Sequence, residues 1–263
     1  MPDADLTDFE VDRLRVRVYP DRTTMGRAAA LFVAERMRSL ARARGEVRMV
    51  FAAAPSQDAF LRTLVGLADL PWPRVVAFHM DEYVGLPPGA PQHCGRWLRE
   101  RLFDRLPLKE VHYLDPAPAD VQAECARYAR LVGAAPIDIA CLGIGENGHL
   151  AFNDPPVADF DDPETVKVVA LDEACRRQQV HDGAFADLDA VPTHALTLTI
   201  PALMSAACCS VVVPGPAKAG AVAAALTGPV TTACPASILR RHPDATLHLD
   251  PPAAHLVQAR LDT

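Results

Sequence analysis

Residues 136–156 read Pro-Ile-Asp-Ile-Ala-Cys-Leu-Gly-Ile-Gly-Glu-Asn-Gly-His-Leu-Ala-Phe-Asn-Asp-Pro-Pro. The run Ile137 to Leu142 is short and apolar, which predicts a buried strand that stops at Gly143. Gly143, Gly145 and Gly148 open backbone conformations that other residues avoid, so a ligand can approach the main chain closely. Glu146, Asn147, His149, Asn153 and Asp154 crowd the same turn. They sit at the carboxyl end of a strand, where open α/β sheets place their ligands.

Gly143-Ile-Gly-Glu-Asn-Gly148 also satisfies the G-x-G-x-x-G pattern of dinucleotide-binding folds. That pattern works only if a helix follows the third glycine and presents its N-terminus to the pyrophosphate. Pro155 and Pro156 follow within eight residues of Gly148 and disfavour such a helix. A polar catalytic loop, with His149 and Asp154 beside a small molecule, is the better reading.

Outward from this stretch the chain alternates strand and helix. Strands are expected at Val16–Tyr19, Met49–Ala53, Val75–Phe78, Thr193–Ile200, Ser210–Val213 and Thr246–Leu249. Helices are expected at Arg22–Arg44, Asp58–Leu67, Arg96–Leu106, Val121–Leu131 and Pro216–Leu226, with Ser56 as a cap for the second. This alternation implies one α/β domain, residues 16–263, with a mostly parallel sheet covered by helices on both faces. Residues 1–15 read as an N-terminal tail, and about 160–185 as a lid with few structural signals.

The 263 residues carry a formal net charge of −7 and are half apolar. A sizeable core is expected, with no basic run to suit nucleic acid or a membrane surface. An anionic substrate would have to be held by a few local cations. The N-terminus is acidic, unlike a secretory signal, and no apolar run reaches membrane-spanning length. Seven cysteines without metal-ligand spacing suggest buried free thiols in a soluble, cytoplasmic protein with no metal.

Two further stretches carry chemistry. His79-Met80-Asp81-Glu82-Tyr83-Val84-Gly85 sets adjacent carboxylates at a strand's carboxyl end, where one can act as a general base. If the strands at 75–78 and 137–142 are neighbours, Asp81 faces the 145–154 loop. Asp81 then moves a proton on carbon while His149, held by Asp154, serves an oxygen. Val213-Pro-Gly-Pro-Ala-Lys218 places a lysine in the first turn of a helix, which suits a phosphate or carboxylate. Arg176 and Arg177 are further cations on the expected lid, and each reads equally as an ordinary surface arginine.

Met80 to Leu86, Leu142 to Gly145, Gly148-His-Leu-Ala-Phe-Asn153 and Gly215 to Lys218, in this order, resemble the glucosamine-6-phosphate deaminase/isomerase family. Pro192 to Ile200 and His242-Pro243 also fall where that family has similar segments, so the resemblance spans about residues 20 to 250. It is related to the 6-phosphogluconolactonases. The resemblance implies a doubly wound fold of Rossmann-like topology and conversion of glucosamine 6-phosphate and water to fructose 6-phosphate and ammonia, without cofactor. It implies that Asp81 shuttles a proton between C2 and C1. His149 assists ring opening, together with Asp154 and Asn147. Asp154 stands where the family usually has glutamate, and Asn147 where well-known members have aspartate. Ser56, Gln57, Glu82, Gly145, Glu146, Gly148, Arg176 and Lys218 would bind the phosphorylated amino sugar. The turn Ala52-Ala-Ala-Pro-Ser-Gln57 lacks the family's glycine, and Gln179 falls where an arginine is expected. The family includes monomers and hexamers, so a homo-oligomer stays open. A lactone hydrolase, using His149 to activate water without Asp81, and a sugar-phosphate sensor without turnover are the alternatives.

Overall fold

The computed structural model describes residues 7–117 and 119–261. The chain runs β1 (Thr7–Val11), β2 (Leu14–Val18), α1 (Arg22–Arg44), β3 (Val47–Phe51), α2 (Asp58–Gly66), β4 (Val75–His79), β5 (Asp81–Val84), α3 (Cys94–Arg101), β6 (Glu110–His112) and α4 (Val121–Gly133). It continues through β7 (Ile139–Leu142), β8 (Val166–Ala170), α5 (Glu173–His181), β9 (His194–Leu198), α6 (Ile200–Met204), β10 (Cys208–Val213), α7 (Ala219–Thr227), β11 (Ala245–Leu249) and α8 (Pro251–Leu261).

The main sheet has the order β1-β2-β11-β10-β7-β3-β4-β6 and is parallel except for the β1–β2 hairpin. From β3 the chain steps outward to β4 and β6, then crosses back to β7 and proceeds through β10 to β11. The fold is thus doubly wound and Rossmann-like, and its strand order reverses between β3 and β7. Loops leaving those two strands diverge there and open a crevice at their carboxyl ends.

Burial on both faces explains the continuous apolar runs. In β3, Met49 and Phe51 join one core cluster, with α1 and α2, while Val50 joins the other, with α4 and α7. Successive side chains of a strand point to opposite faces, so both faces need apolar residues. Each fully buried side chain such as Phe51 or Phe78 contributes about 1.5–3 kcal/mol.

Three expectations need correcting. Residues 7–15 are not a tail: Thr7–Val11 pairs antiparallel with Leu14–Val18 around Asp12, which takes φ 52°, and β2 pairs with β11. Residues 1–6 lie outside the described residues. The segment 160–185 holds β8 and α5, whose signals were hidden because α5 is largely polar and buries Cys175 and Gln178. The strands at 75–78 and 137–142 are not neighbours, since β3 lies between them. Asp81 reaches the crevice by another route, as the first residue of β5 in a second, antiparallel sheet of order β5-β9-β8.

That small sheet is fastened to the 143–154 loop. Asp81 pairs with Thr197 across β5 and β9, and the Thr197 hydroxyl accepts the Phe152 N–H at 3.1 Å. Asn153 Nδ2 donates to the carbonyls of Leu150 and Leu198, both at 2.8 Å. Tyr83, Phe152, Val169, Phe185 and Ala195 pack beneath as a third cluster.

Candidate active site

A cavity of about 490 Å³ fills the crevice. Its walls come from the turn after β3 (Ala52–Ser56), the start of β5, α3, the loop after β7, the end of α5 and Lys218. Asp81, His149, Ser56, Gly145 and Lys218 therefore meet in one pocket although they are distant in sequence.

Asp81 is buried, and its carboxyl is pushed up from 3.8 to about 7. Burial is the main cause and the charge of Glu82 adds to it, while a hydrogen bond from Cys94 opposes both. Its backbone is held by His79, which is fully buried. The Leu114 N–H donates to His79 Nε2 at 2.9 Å, so the ring carries its proton on Nδ1 and donates it to the Asp81 carbonyl at 2.9 Å. Burial lowers the pKa of His79 and keeps this imidazole neutral.

Glu82 does not line the cavity. Its carboxylate accepts the N–H groups of Tyr83, Cys94 and Gly95 at 2.9–3.1 Å and lies 3.2 Å from His93 Nδ1. The hydrogen bond to Glu82 raises the His93 pKa. Adjacent residues of a strand point to opposite faces, so with Asp81 in the pocket Glu82 points behind it, where it anchors the start of α3.

The loop after β7 folds back on itself. Gly145 N–H donates to the His149 carbonyl and Gly148 N–H to the Gly145 carbonyl, both at 3.0 Å. The imidazole of His149 lies against the Gly145 backbone, where a Cβ would fall 2.2 Å from Cε1. Gly148 takes φ 85°, and a Cβ there would meet Cys234 Sγ at 2.9 Å. The chain then turns into an isolated Leu150–Asn153 bridge, not the helix that a pyrophosphate site requires.

Asp154 is fully buried and lies with Oδ1 2.9 Å from His149 Nδ1. The two atoms touch at hydrogen-bond distance, with the ring N–H off the line to the oxygen, and the contact still favours the ionised carboxylate. Oδ1 also accepts from Asn147 Nδ2 at 2.9 Å, and Oδ2 accepts the Asp172 N–H at 3.0 Å. Burial alone would raise the Asp154 pKa; the histidine, the Asn147 amide and the Asp172 N–H together hold it below the usual range. The shorter side chain at 154 therefore still reaches the histidine. Asn147 acts as a brace: its Oδ1 accepts the His149 N–H at 3.1 Å. Glu146 turns outward, its carboxylate 3.4 Å from His181, while its N–H donates to Gln178.

Ser56 lines the pocket in a 3-10 turn, Pro55–Gln57, that leads into α2 without a side-chain cap. The Ser56 hydroxyl instead accepts from Gln57 Nε2 at 3.1 Å, and this amide also donates to the Val212 carbonyl at 3.1 Å. Gln57 is thus buried behind the turn and fixes it to β10. Lys218 follows the Gly215 turn, where φ is 92°. Burial pushes its ammonium below the usual range against the pull of Asp182 and Glu146.

Arg176 does not reach the pocket; its guanidinium is tied to the carbonyls of Leu188 and Val191. In its place α5 offers Gln179, whose Oε1 accepts the Tyr83 hydroxyl at 2.8 Å, and Gln178, whose Nε2 lies 3.2 Å from Asp182. Trp97, with the Arg101 guanidinium 4.1 Å above its ring, forms the outer wall. In the sequence Gln179 stands out only as the residue found where an arginine is expected, and Gln178, Asp182, Trp97 and Arg101 do not stand out. The spacing of Gln178, Gln179 and Asp182 over one helical turn was the available signal.

The arrangement supplies a carboxyl titrating near neutrality and a separate imidazole–carboxylate pair, with an ammonium and turn N–H groups further along the cavity. It can abstract a proton from carbon and relay another at oxygen on one anionic ligand. All seven cysteines are free and buried. Among the described residues, no helix is long and apolar enough to cross a membrane.

The chain as a whole resembles known proteins. Residues 20–248 match the family model described as glucosamine-6-phosphate isomerases/6-phosphogluconolactonase. A glucosamine-6-phosphate deaminase of Bacillus thuringiensis is 38% identical over 183 residues, 70% of this chain and 68% of that protein. A Bacillus cereus deaminase matches equally. Among solved structures, a monomeric glucosamine-6-phosphate deaminase superposes with a TM-score of 0.83 at 28% identity, covering 92% of this chain and 99% of that one. The 6-phosphogluconolactonase of Thermotoga maritima, at 20% identity and a TM-score of 0.72 over 89% of this chain and 98% of that one, shares the fold. With strand order, crevice and the match over residues 20–248 in agreement, the chain belongs to the glucosamine-6-phosphate isomerase/6-phosphogluconolactonase family.

Proposed function

We propose that the protein converts glucosamine 6-phosphate, or a close amino-sugar phosphate, and water to fructose 6-phosphate and ammonia. The observation that carries this reading is Asp81: a buried carboxyl lifted to about 7 in a pocket shared with a histidine–aspartate pair. A carbon base works best with a pKa near the working pH, and lactone hydrolysis needs no such base. His149, polarised by Asp154, passes the proton between the anomeric hydroxyl and the ring oxygen and so opens the ring. Asn147 keeps the imidazole backbone in place but takes up no proton itself. Ionised Asp81 then removes the C2 proton and returns it to C1 through an enolamine. The resulting C2 imine is hydrolysed to the ketone and ammonia. Lys218, the Ser56 hydroxyl and the N–H groups at the start of α2 hold the phosphate. Buried free thiols favour action in the cytoplasm.

The test is ammonia release from purified protein given glucosamine 6-phosphate, with unphosphorylated glucosamine and 6-phosphogluconolactone alongside. Ammonia together with fructose 6-phosphate supports the reading. Lactone opening without ammonia replaces it with a hydrolase, and binding without turnover of either replaces it with a sensor.

A further inference from the structure

We infer that His149, Asp154 and Cys175 form a site for a thiophilic divalent cation of the Zn²⁺ class, and that filling it stops catalysis. The donor atoms of these three buried side chains all lie within 4.8 Å of one another. His149 Nδ1 is buried and lacks a hydrogen-bond partner, although Asp154 Oδ1 is only 2.9 Å away. An imidazole nitrogen and a carboxylate oxygen set side by side, but misaligned for hydrogen bonding, are arranged as two ligands of one shared ion. Such an ion sits at about 2.0–2.2 Å from each. Cys175, on α5, offers the third donor. Nitrogen, oxygen and sulfur together suit Zn²⁺ and disfavour Mg²⁺ and Ca²⁺, which take oxygen ligands.

The surroundings fit a ligand set. Asp154 is oriented by the Asn147 amide and the Asp172 N–H, the outer hydrogen bonds that ligating carboxylates use. His149 lines the cavity, so a fourth position opens towards water or a substrate hydroxyl. Binding replaces the thiol proton: the S–H bond breaks, S–metal forms, and one proton is released to solvent, with no change of oxidation state. The thiolate and the Asp154 carboxylate then balance the cation's charge. If Cys175 served only as packing beneath Tyr83 and Phe152, none of this metal dependence would follow.

The inhibitory part rests on the proposed deaminase chemistry, since a bound cation takes up the nitrogen and carboxylate that open the ring. The binding part does not. Reduced, metal-free full-length protein is titrated with Co²⁺ and, separately, with Zn²⁺ against a chromophoric chelator. One equivalent of Co²⁺ should give a thiolate-to-cobalt charge-transfer absorption that Zn²⁺ abolishes. Cys175→Ser should lose that absorption and weaken Zn²⁺ binding at least ~10-fold, whereas Cys208→Ser should change neither. No charge-transfer band in the parent protein, or a band that survives Cys175→Ser, overturns the site. These readouts hold whether or not the protein releases ammonia. If it does, one equivalent of Zn²⁺ should suppress release and a chelator restore it; full turnover with the site filled overturns the inhibitory role.

Discussion

Replacing Asp81 by asparagine should abolish turnover and at the same time make the protein harder to unfold. In the folded chain burial and Glu82 lift this carboxyl from 3.8 to about 7. At ~1.4 kcal/mol per pH unit, the ionised form carries a penalty of about 4 kcal/mol. The folded state binds the proton more tightly than the unfolded state. The penalty is therefore absent below the unfolded pKa of 3.8, grows between 3.8 and about 7, and stays constant above. Asparagine keeps the shape without the charge, but its amide must also be desolvated, at roughly 1–3 kcal/mol. The net gain above neutrality is then about 2 kcal/mol, or about 4–8 °C in Tm. Thermal unfolding of parent and variant from pH 4 to 8, followed by circular dichroism, should show a gap that opens with pH and levels off. Ammonia release should fall at least ~100-fold. A stability gap independent of pH would refute the burial argument, and turnover within a few-fold of the parent would refute the role as carbon base.

The same carboxyl predicts that kcat/KM of the parent rises with pH to a plateau above about 7, because Asp81 must lose its proton first; a stopped assay across pH 5–9 checks it. Lys218→Gln should raise KM for the phosphorylated substrate ~10–100-fold and leave kcat nearly unchanged, since it removes one charged contact to a group far from the reacting carbons. Gly145→Ala places a Cβ where the His149 ring lies, 2.2 Å from Cε1. It should lower kcat ~100-fold with an unaltered circular dichroism spectrum. Glu82→Gln weakens the acceptor for three buried N–H groups and should cost about 2–3 kcal/mol in urea unfolding.

Legibility followed the physical signal. The strand 137–142 and its glycine turn were readable because a fully buried parallel strand must be apolar and a ring lying on backbone demands glycine. Asp81, His149, Asp154, Ser56 and Lys218 all sit at carboxyl ends of strands or at the turns that follow them, where sequence pattern and chemistry coincide. Glu82 and Arg176, expected at the ligand, do not line the cavity, and residue type cannot show which way a side chain points: Glu82 faces the N-terminus of α3, and Arg176 faces the carbonyls of Leu188 and Val191. The strand at 7–11 was missed because its Thr-Asp-Phe-Glu-Val sequence mixes acids into a half-exposed edge. In α5 the useful face is polar, built of glutamines and aspartate, so no apolar period marked it.

The pairing of Asp81 with Thr197, and of Thr197 with the Phe152 N–H, joins segments drawn from three separate parts of the chain. Closing the long loops that such contacts require costs more entropy than forming helices, so the contacts are expected to follow the helices. During refolding from denaturant, helical signal and burial of Trp72 should therefore return before catalysis does. An interval in which the molecule is nearly native by spectroscopy yet inert would time the docking of the small sheet onto the large one.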